Sequence, residues 1–364
     1  IKSFRDRGID LEKPKQDRLK ELNKELSKLS DVFSNNIVDD KAKFEYLIEN
    51  FEVIKELPEE VLETTKTLAE EKQKEWYLFD ADPTSYQAIM KYCSDSKIRK
   101  DCAKVNYSFA SSWKFDNREN ILNILKLKKE KSDILGYKNY AEFSLNSKMA
   151  NSPKQVFDLI EGISEKAKQK AKKEIDELKN YFNLDKIGSS SLAYYARIYK
   201  EKKYKIDDKE LKKYFELNNT LDYLHNFVNK FYGIQLKQID IKWYNEDVKI
   251  YEVYKDGELI SYYFIDLFYR KNKRPWAWAD NLREKQYFPK LKLPIIVNVC
   301  NFAKTYWKIT LSVRDVETLF HEFGHALHEI LSESKYSELS WFWVEWDFVE
   351  LPSQILENWV GDRE

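Results

Sequence analysis

Three of the four histidines in the chain, His321, His325 and His328, lie within eight residues. His321 and His325 are four positions apart and Glu322 follows the first of them, which matches the metal-binding pattern H-E-x-x-H. On a helix, residues four apart lie one above the other, so both imidazoles can reach one Zn²⁺ at about 2.0–2.1 Å. Glu322 projects about 100° round the helix from His321 and is placed as a general base rather than a ligand. The spacing therefore predicts a zinc site with a base beside it.

A catalytic zinc needs a third protein ligand and one open position. The acidic candidates after the motif are Glu329, Glu333, Glu338, Glu345, Asp347, Glu350 and Glu357. Geometry favours a carboxylate on a second helix that returns past the first, which excludes Glu329 and Glu333. The apolar residues around Glu350 are spaced as on one side of such a helix, so Glu350 is favoured and Glu345 is the alternative. His328 lies one turn beyond His325, and we expect it to pack or to support the ligands rather than to bind the metal.

The flanks of the motif predict the elements that must position it. Ser312, followed three residues later by Asp315, is typical of a helix start, and the apolar spacing that follows predicts a helix over residues 312–331. Upstream, residues 248–254 and 258–267 are rich in β-branched and aromatic residues and flank Lys-Asp-Gly, a hairpin signal. A further buried strand is predicted over residues 293–300. Together they predict a small sheet beside the motif helix.

The rest of the chain reads as helix. Gly and Pro number only eight each in 364 residues, far below the usual share of about 12%. Apolar residues recur at helical spacing in segments that we assign to residues 19–33, 58–76, 121–134 and 152–182. The lysines of the last segment alternate with acidic residues, so they form a solvated face rather than a basic patch. We predict a mainly α protein with a loop or soft boundary at residues 188–191.

Composition excludes several classes of function. Lys plus Arg and Asp plus Glu are both 62, so no net charge draws the chain to nucleic acid or to a membrane surface. No apolar stretch approaches the roughly 20 residues that span a bilayer. The three cysteines form no C-x-x-C pair and make a poor disulfide framework, which favours a reducing, cytoplasmic location.

Beyond the five-residue motif, the sequence resembles the thimet oligopeptidase and oligopeptidase A family of zinc metallopeptidases. The segments that carry the resemblance are 319–328 (LFHEFGHALH), 347–354 (DFVELPSQ), 357–359 (ENW), 33–36 (FSNN), 136–142 (GYKNYAE), 266–270 (DLFYR) and 273–274 (KR). They are spread over most of the chain.

The resemblance implies one Zn²⁺ bound by His321, His325 and Glu350, with Glu322 as the general base, and it lowers the case for Glu345. It implies a helical, two-lobed, zincin-like fold whose channel admits short peptides. Residues 1–190 would then form a helical channel wall and residues 191–364 the catalytic region with the small sheet. The activity implied is hydrolysis of peptide bonds in short oligopeptides, with endopeptidase action favoured over dipeptidyl carboxypeptidase action.

The sequence also departs from the family. The family carries a Gly-containing turn where this chain has Trp341-Phe342-Trp343, and it continues beyond residue 364 into a segment with a substrate-binding His and Tyr cluster. We therefore expect a fragment lacking N- and C-terminal portions, or one whose C-terminal part is supplied by a second chain or segment. The alternative function is a non-catalytic helical peptide-binding or structural zinc protein.

Overall fold

The computed structural model of the chain describes residues 2–270, 273–274, 276–302, 304, 308–336, 339–340 and 343–361. Glu338, Trp341 and Phe342, which the sequence analysis singled out, lie outside them. None of the described helices is both long enough and apolar enough to cross a bilayer.

Helices dominate the described residues, and seven strands form two small sheets. The helices are α1 (Lys2–Asp6), α2 (Lys13–Lys41), α3 (Glu59–Glu71), α4 (Pro83–Tyr92), α5 (Ser96–Asn106), α6 (Arg118–Ile134), α7 (Tyr140–Leu145), α8 (Pro153–Phe182), α9 (Ser189–Tyr204), α10 (Asp208–Lys212), α11 (Leu217–Tyr232), α12 (Val313–Ile330) and α13 (Leu351–Glu357). The strands are β1 (Tyr46–Ile48), β2 (Tyr77–Phe79), β3 (Ile234–Ile239), β4 (Lys249–Lys255), β5 (Glu258–Phe268), β6 (Trp278–Arg283) and β7 (Ile295–Phe302). The prediction of a mainly α protein with a small sheet is confirmed.

The chain divides into two compact units. One comprises Ile1–Asn146 and Ala150–Lys205, and the other comprises Ser147–Met149 and Ile206–Glu364. The first unit contains α1–α9 with the β1–β2 pair, and the second contains α10–α13 with the larger sheet. Residues 189–191 begin α9 rather than forming the predicted loop, because Gly188 is its extended N-cap. The assignment of residues 1–190 to a channel wall and 191–364 to a catalytic region stays a prediction.

The larger sheet has the strand order β3-β4-β5-β7-β6. β5 and β7 are parallel, and every other pair is antiparallel. The predicted hairpin is present as β4 and β5, with Asp256 and Gly257 at φ values of 52° and 83° in the turn. These positive values suit Asp-Gly in a tight hairpin turn. Strands β3 and β6 lie at the two edges and were not predicted: the alternation in β3 covers only Ile234 to Lys237, and β6 has no regular alternation.

Helix α12 packs on one face of this sheet and contacts β7, β6 and β5. Successive side chains of a strand point to opposite faces of the sheet. On one face, Tyr263 and Ile265 of β5 and Cys300 of β7 belong to the core shared with α12. Phe264 and Val299 point to the opposite face and form a separate apolar cluster. Helix α12 therefore packs on an apolar face of the sheet.

Candidate metal centre

The motif helix begins where the sequence predicts it. The Ser312 hydroxyl accepts a hydrogen bond from the backbone N–H of Asp315, and the Asp315 carboxylate accepts one from the backbone N–H of Ser312. This reciprocal capping box satisfies two of the N–H groups that a helix start leaves without partners. Most of the side chains facing the sheet are apolar and buried, so packing fixes the rotation of α12 and hence the direction of its histidines.

A glycine within the motif lets a second helix approach closely. A Cβ added at Gly324 would lie 2.6 Å from the Cα of Ser353 and 2.7 Å from the carbonyl oxygen of Pro352. No real Cβ tolerates backbone atoms at such distances, so only Gly permits α13 to cross α12 here. Glu350, the N-cap residue of α13, is thereby brought over the two motif histidines.

The three predicted ligands converge on one point. Nε2 of His321 lies 3.3 Å from Oε2 of Glu350, and Nε2 of His325 lies 3.1 Å from the same oxygen. The ligand atoms of this trio all lie within 4.8 Å of one another. Two ligands bound tetrahedrally at about 2.05 Å from one zinc ion would be about 3.3 Å apart. The donor set and its spacing therefore fit a zinc ion.

Neighbouring side chains orient two of these ligands. Nδ1 of His321 lies 2.6 Å from a carboxylate oxygen of Glu357, an arrangement that fixes the tautomer of a metal-binding imidazole with Nε2 free. The hydroxyl of the fully buried Ser353 lies 2.9 Å from both the backbone oxygen and Oε2 of Glu350 and can donate to either. The Glu350 side chain stays 52% exposed, which leaves the trio open to a small molecule on one side.

Burial controls the protonation of the remaining groups. Glu322 is 5% exposed, and burial raises its pKa to about 7, with His321 opposing and Glu350 reinforcing the shift. Burial also lowers the pKa of His325, against the opposing charge of Glu350. A neutral imidazole is the form that binds metal, and a carboxyl group with a pKa near 7 can both accept and return a proton at neutral pH.

The other candidates lie elsewhere. His328 is not part of the trio of His321, His325 and Glu350; burial lowers its pKa, and its ring centroid lies 6.3 Å from that of Phe348. Glu345 contributes its backbone oxygen to the turn before α13 rather than its carboxylate to the site. Glu329 is fully buried on α12.

Two residues of the centre were missed by sequence reasoning. Glu357 appeared only as one of several acidic candidates, although it follows Glu350 by seven residues, two helical turns, and so shares its face. Ser353 was read only as part of a family segment. The seven-residue spacing between Glu350 and Glu357 could have revealed Glu357, whereas no local signal reveals Ser353.

A capped helix with two imidazoles one turn apart, a carboxylate from a crossing helix and a buried acid beside them is the type of centre that zinc metallopeptidases use. Comparison with known proteins agrees: the model of peptidase family M3 matches residues 89–364. The chain belongs to peptidase family M3.

Named relatives extend the match over the whole chain. It is 34% identical to oligopeptidase A of Escherichia coli (strain K12), covering 100% of this chain and 56% of the relative. It is 33% identical to a probable cytosolic oligopeptidase A of Arabidopsis thaliana, covering 98% and 54%. A dipeptidyl carboxypeptidase of Salmonella typhimurium is 29% identical, covering 97% and 54%. The chain thus spans a little over half the length of these relatives.

Proposed function

We propose that the protein is a zinc peptidase that hydrolyses peptide bonds in short oligopeptides. His321, His325 and Glu350 hold the ion, and Glu322 is the general base. The observation that carries the proposal is the convergence of two imidazole nitrogens on one carboxylate oxygen, at 3.3 and 3.1 Å, next to a buried glutamate. Family membership and the names of the relatives support peptides as the substrate class.

When bound, zinc acidifies water and polarises the carbonyl group that is attacked. Glu322 accepts a proton on its carboxylate from the attacking water and passes it to the nitrogen of the leaving amine. Glu357 holds the imidazole of His321 and Ser353 holds the carboxylate of Glu350, so the ligands need no rearrangement.

The peptide backbone needs a strand edge on which to pair. Strand β7 and the β4–β5 hairpin offer no free edge, because β4, β5 and β7 each have a strand on either side. β6 is the edge strand that contacts α12. We therefore place the substrate backbone along β6.

Endopeptidase action is the finer part of the proposal, supported by the higher identity to the oligopeptidases than to the dipeptidyl carboxypeptidase. A peptide blocked at both ends should therefore be cleaved internally. Release of dipeptides from free C-termini alone would overturn this part. A cytoplasmic location is also proposed, supported by the relative named as cytosolic and by three free, buried cysteines. The comparisons do not support a second chain, and it forms no part of the proposal.

The alternative is a zinc protein without catalysis. A structural zinc is closed by four protein ligands, whereas the described residues supply three, and a structural site has no use for Glu322. Zinc binding with no hydrolysis of any short peptide would favour this alternative.

The test is hydrolysis of quenched fluorescent peptides by the zinc-loaded chain. Glu322→Gln should keep one zinc per chain and lose about 10²- to 10⁴-fold in kcat, since the base is removed. Glu329→Gln is the matched control, because it alters another buried glutamate of the same helix and should leave kcat unchanged. Cleavage by Glu322→Gln at the wild-type rate would remove Glu322 from its role.

A further inference from the structure

One buried hydroxyl beneath the motif helix has no assigned purpose. Tyr263 of β5 is 2% exposed and faces α12, where its ring packs edge-on against Phe323 with the centroids 5.3 Å apart. Within the described part of the chain, its hydroxyl makes no hydrogen bond. Phenylalanine would fill the same space without burying a polar atom.

The proposed base, Glu322, also has a buried polar atom without a hydrogen-bond partner among the described residues. Glu322 precedes Phe323 on α12, and its Oε2 is buried and makes no hydrogen bond among the described residues. Burial and, more weakly, Cys300, Tyr251 and Glu322 raise the pKa of Tyr263 well above its usual value. Burial and, more weakly, Glu322 raise the pKa of Cys300, which belongs to the same core cluster as Tyr263. The ring of Tyr263 contacts Phe323, the residue that follows Glu322 on α12, so the two unbonded buried atoms belong to side chains on adjoining elements.

Two such atoms are costly if they stay without partners. A buried hydroxyl or carboxylate oxygen that makes no hydrogen bond has lost its bonds to water and gained none in return, which destabilises the fold. Buried waters characteristically bridge polar groups of this kind, each making about three hydrogen bonds. The phenol can donate and the carboxylate can only accept, so the pair is complementary across one water molecule.

We propose that the Tyr263 hydroxyl donates through one buried water to Oε2 of Glu322 and thereby positions this carboxylate. The inference rests on the proposed role of Glu322 as the base. Holding one oxygen on the sheet side turns the other towards the trio of His321, His325 and Glu350. Tyr263 touches neither the substrate nor the metal and is a positioning residue.

A crystal structure of the zinc-loaded chain at about 1.5 Å tests the geometry without any assay. The proposal expects an ordered water, or after a small shift a direct contact, within about 2.6–3.2 Å of both Oη of Tyr263 and Oε2 of Glu322. The absence of such a link, with either atom bonded elsewhere, would overturn it. The same crystals of Tyr263→Phe should show a rotated or less ordered Glu322 side chain.

Kinetics separate positioning from mere packing. Tyr263→Phe should lower kcat about 10- to 100-fold, with KM within about twofold and zinc affinity unchanged. Tyr251→Phe is the matched control: Tyr251 is a buried tyrosine on β4 whose ring lies 6.2 Å from that of Tyr263, and burial and Asp222 raise its pKa to about 12. It should leave kcat unchanged. If Tyr263→Phe only stabilises the fold and keeps kcat, the hydroxyl is an idle buried group and the proposal is wrong.

Different outcomes contradict the proposed function and the positioning role of Tyr263. A wild-type chain that binds zinc and cleaves nothing contradicts the proposed function, and the crystal structure then decides whether Tyr263 holds the carboxylate. A wild-type chain that cleaves peptides beside an unimpaired Tyr263→Phe contradicts the positioning role alone.

Discussion

Two regions of the sheet-containing unit bury carboxylates, and the pKa of the buried acid shifts in opposite directions in the two. At the end of β5, Asp266 is 1% exposed and is bonded to Arg270, Lys273 and the hydroxyl of Tyr244. Burial acts to raise the pKa of Asp266, but these hydrogen bonds outweigh it and lower the pKa to about 2. On α12, Glu322 and Glu329 are also buried, yet burial raises the pKa of each to about 7.

The difference lies in the partners rather than in the acid. Lys273 also donates to the backbone oxygens of Asp266, Phe268 and Cys300, so the cation ties the end of β5 to β7. Neither glutamate of α12 has a basic side chain paired with it among the described residues. A buried acid saturated with cations holds a fold together, whereas one without them keeps a proton affinity that chemistry can use.

Asp266→Asn should have the largest effect on stability. It leaves Lys273, whose side chain is 6% exposed, without its carboxylate, at a cost of about 3–5 kcal/mol in the free energy of unfolding. Because the pKa of Asp266 is lower in the folded state, its contribution is present above pH 4 and lost as the pH falls towards 2. Urea unfolding at pH 7 and pH 3 measures both effects; a loss below about 1 kcal/mol at pH 7 would break the comparison.

Glu329→Gln should stabilise the protein, whereas Asp266→Asn destabilises it. Burial and the nearby Glu284 raise the pKa of Glu329, while the Lys285 backbone and Ser340 oppose the shift. The folded protein therefore binds this proton more tightly, and stability falls as the pH rises from 4.5 to 7. The variant should remove this loss and gain on the order of 3 kcal/mol at pH 8. A variant less stable than the wild type at pH 8 would show that the Lys285 backbone and Ser340 outweigh the cost of burying the ionised carboxylate.

Gly324→Ala tests how the carboxylate of the metal trio is delivered. The added Cβ would meet the backbone of Ser353 and Pro352, so α13 must move, at about 1–3 kcal/mol and with weakened zinc binding. Gly162, in the middle of α8, has nothing within 4 Å of such a Cβ. Gly162→Ala should therefore stabilise the chain by about 0.5–1 kcal/mol and leave zinc affinity unchanged. Equal effects in thermal unfolding would contradict the close crossing of α12 and α13.

Ser353→Ala should have the smallest effect. Removing the hydroxyl leaves Oε2 of Glu350 less firmly held, which should weaken zinc binding about tenfold. Ser132→Ala is the control, because the hydroxyl of that buried serine donates to a backbone oxygen within its own helix, that of Lys129 in α6. Competition with a chelating dye gives the zinc affinity of both variants. An unchanged affinity for Ser353→Ala would show that Ser353 is not needed to position Glu350.

The parts of the centre that were predictable are local in sequence. The capping box at Ser312 and the paired imidazoles depend on spacings of three and four residues, which a helix converts directly into geometry. The close crossing at Gly324 joins residues 29 positions apart and depends on the packing of two helices, so no spacing reports it. Likewise, the edge position of β6 follows from strand order, which short patterns do not encode.

The most direct test of the central claim is anomalous X-ray diffraction at the zinc edge from crystals of the zinc-loaded chain. The account predicts one peak, about 2.0–2.2 Å from Nε2 of His321, Nε2 of His325 and a carboxylate oxygen of Glu350. A peak elsewhere, or none under conditions where zinc is bound in solution, would contradict it.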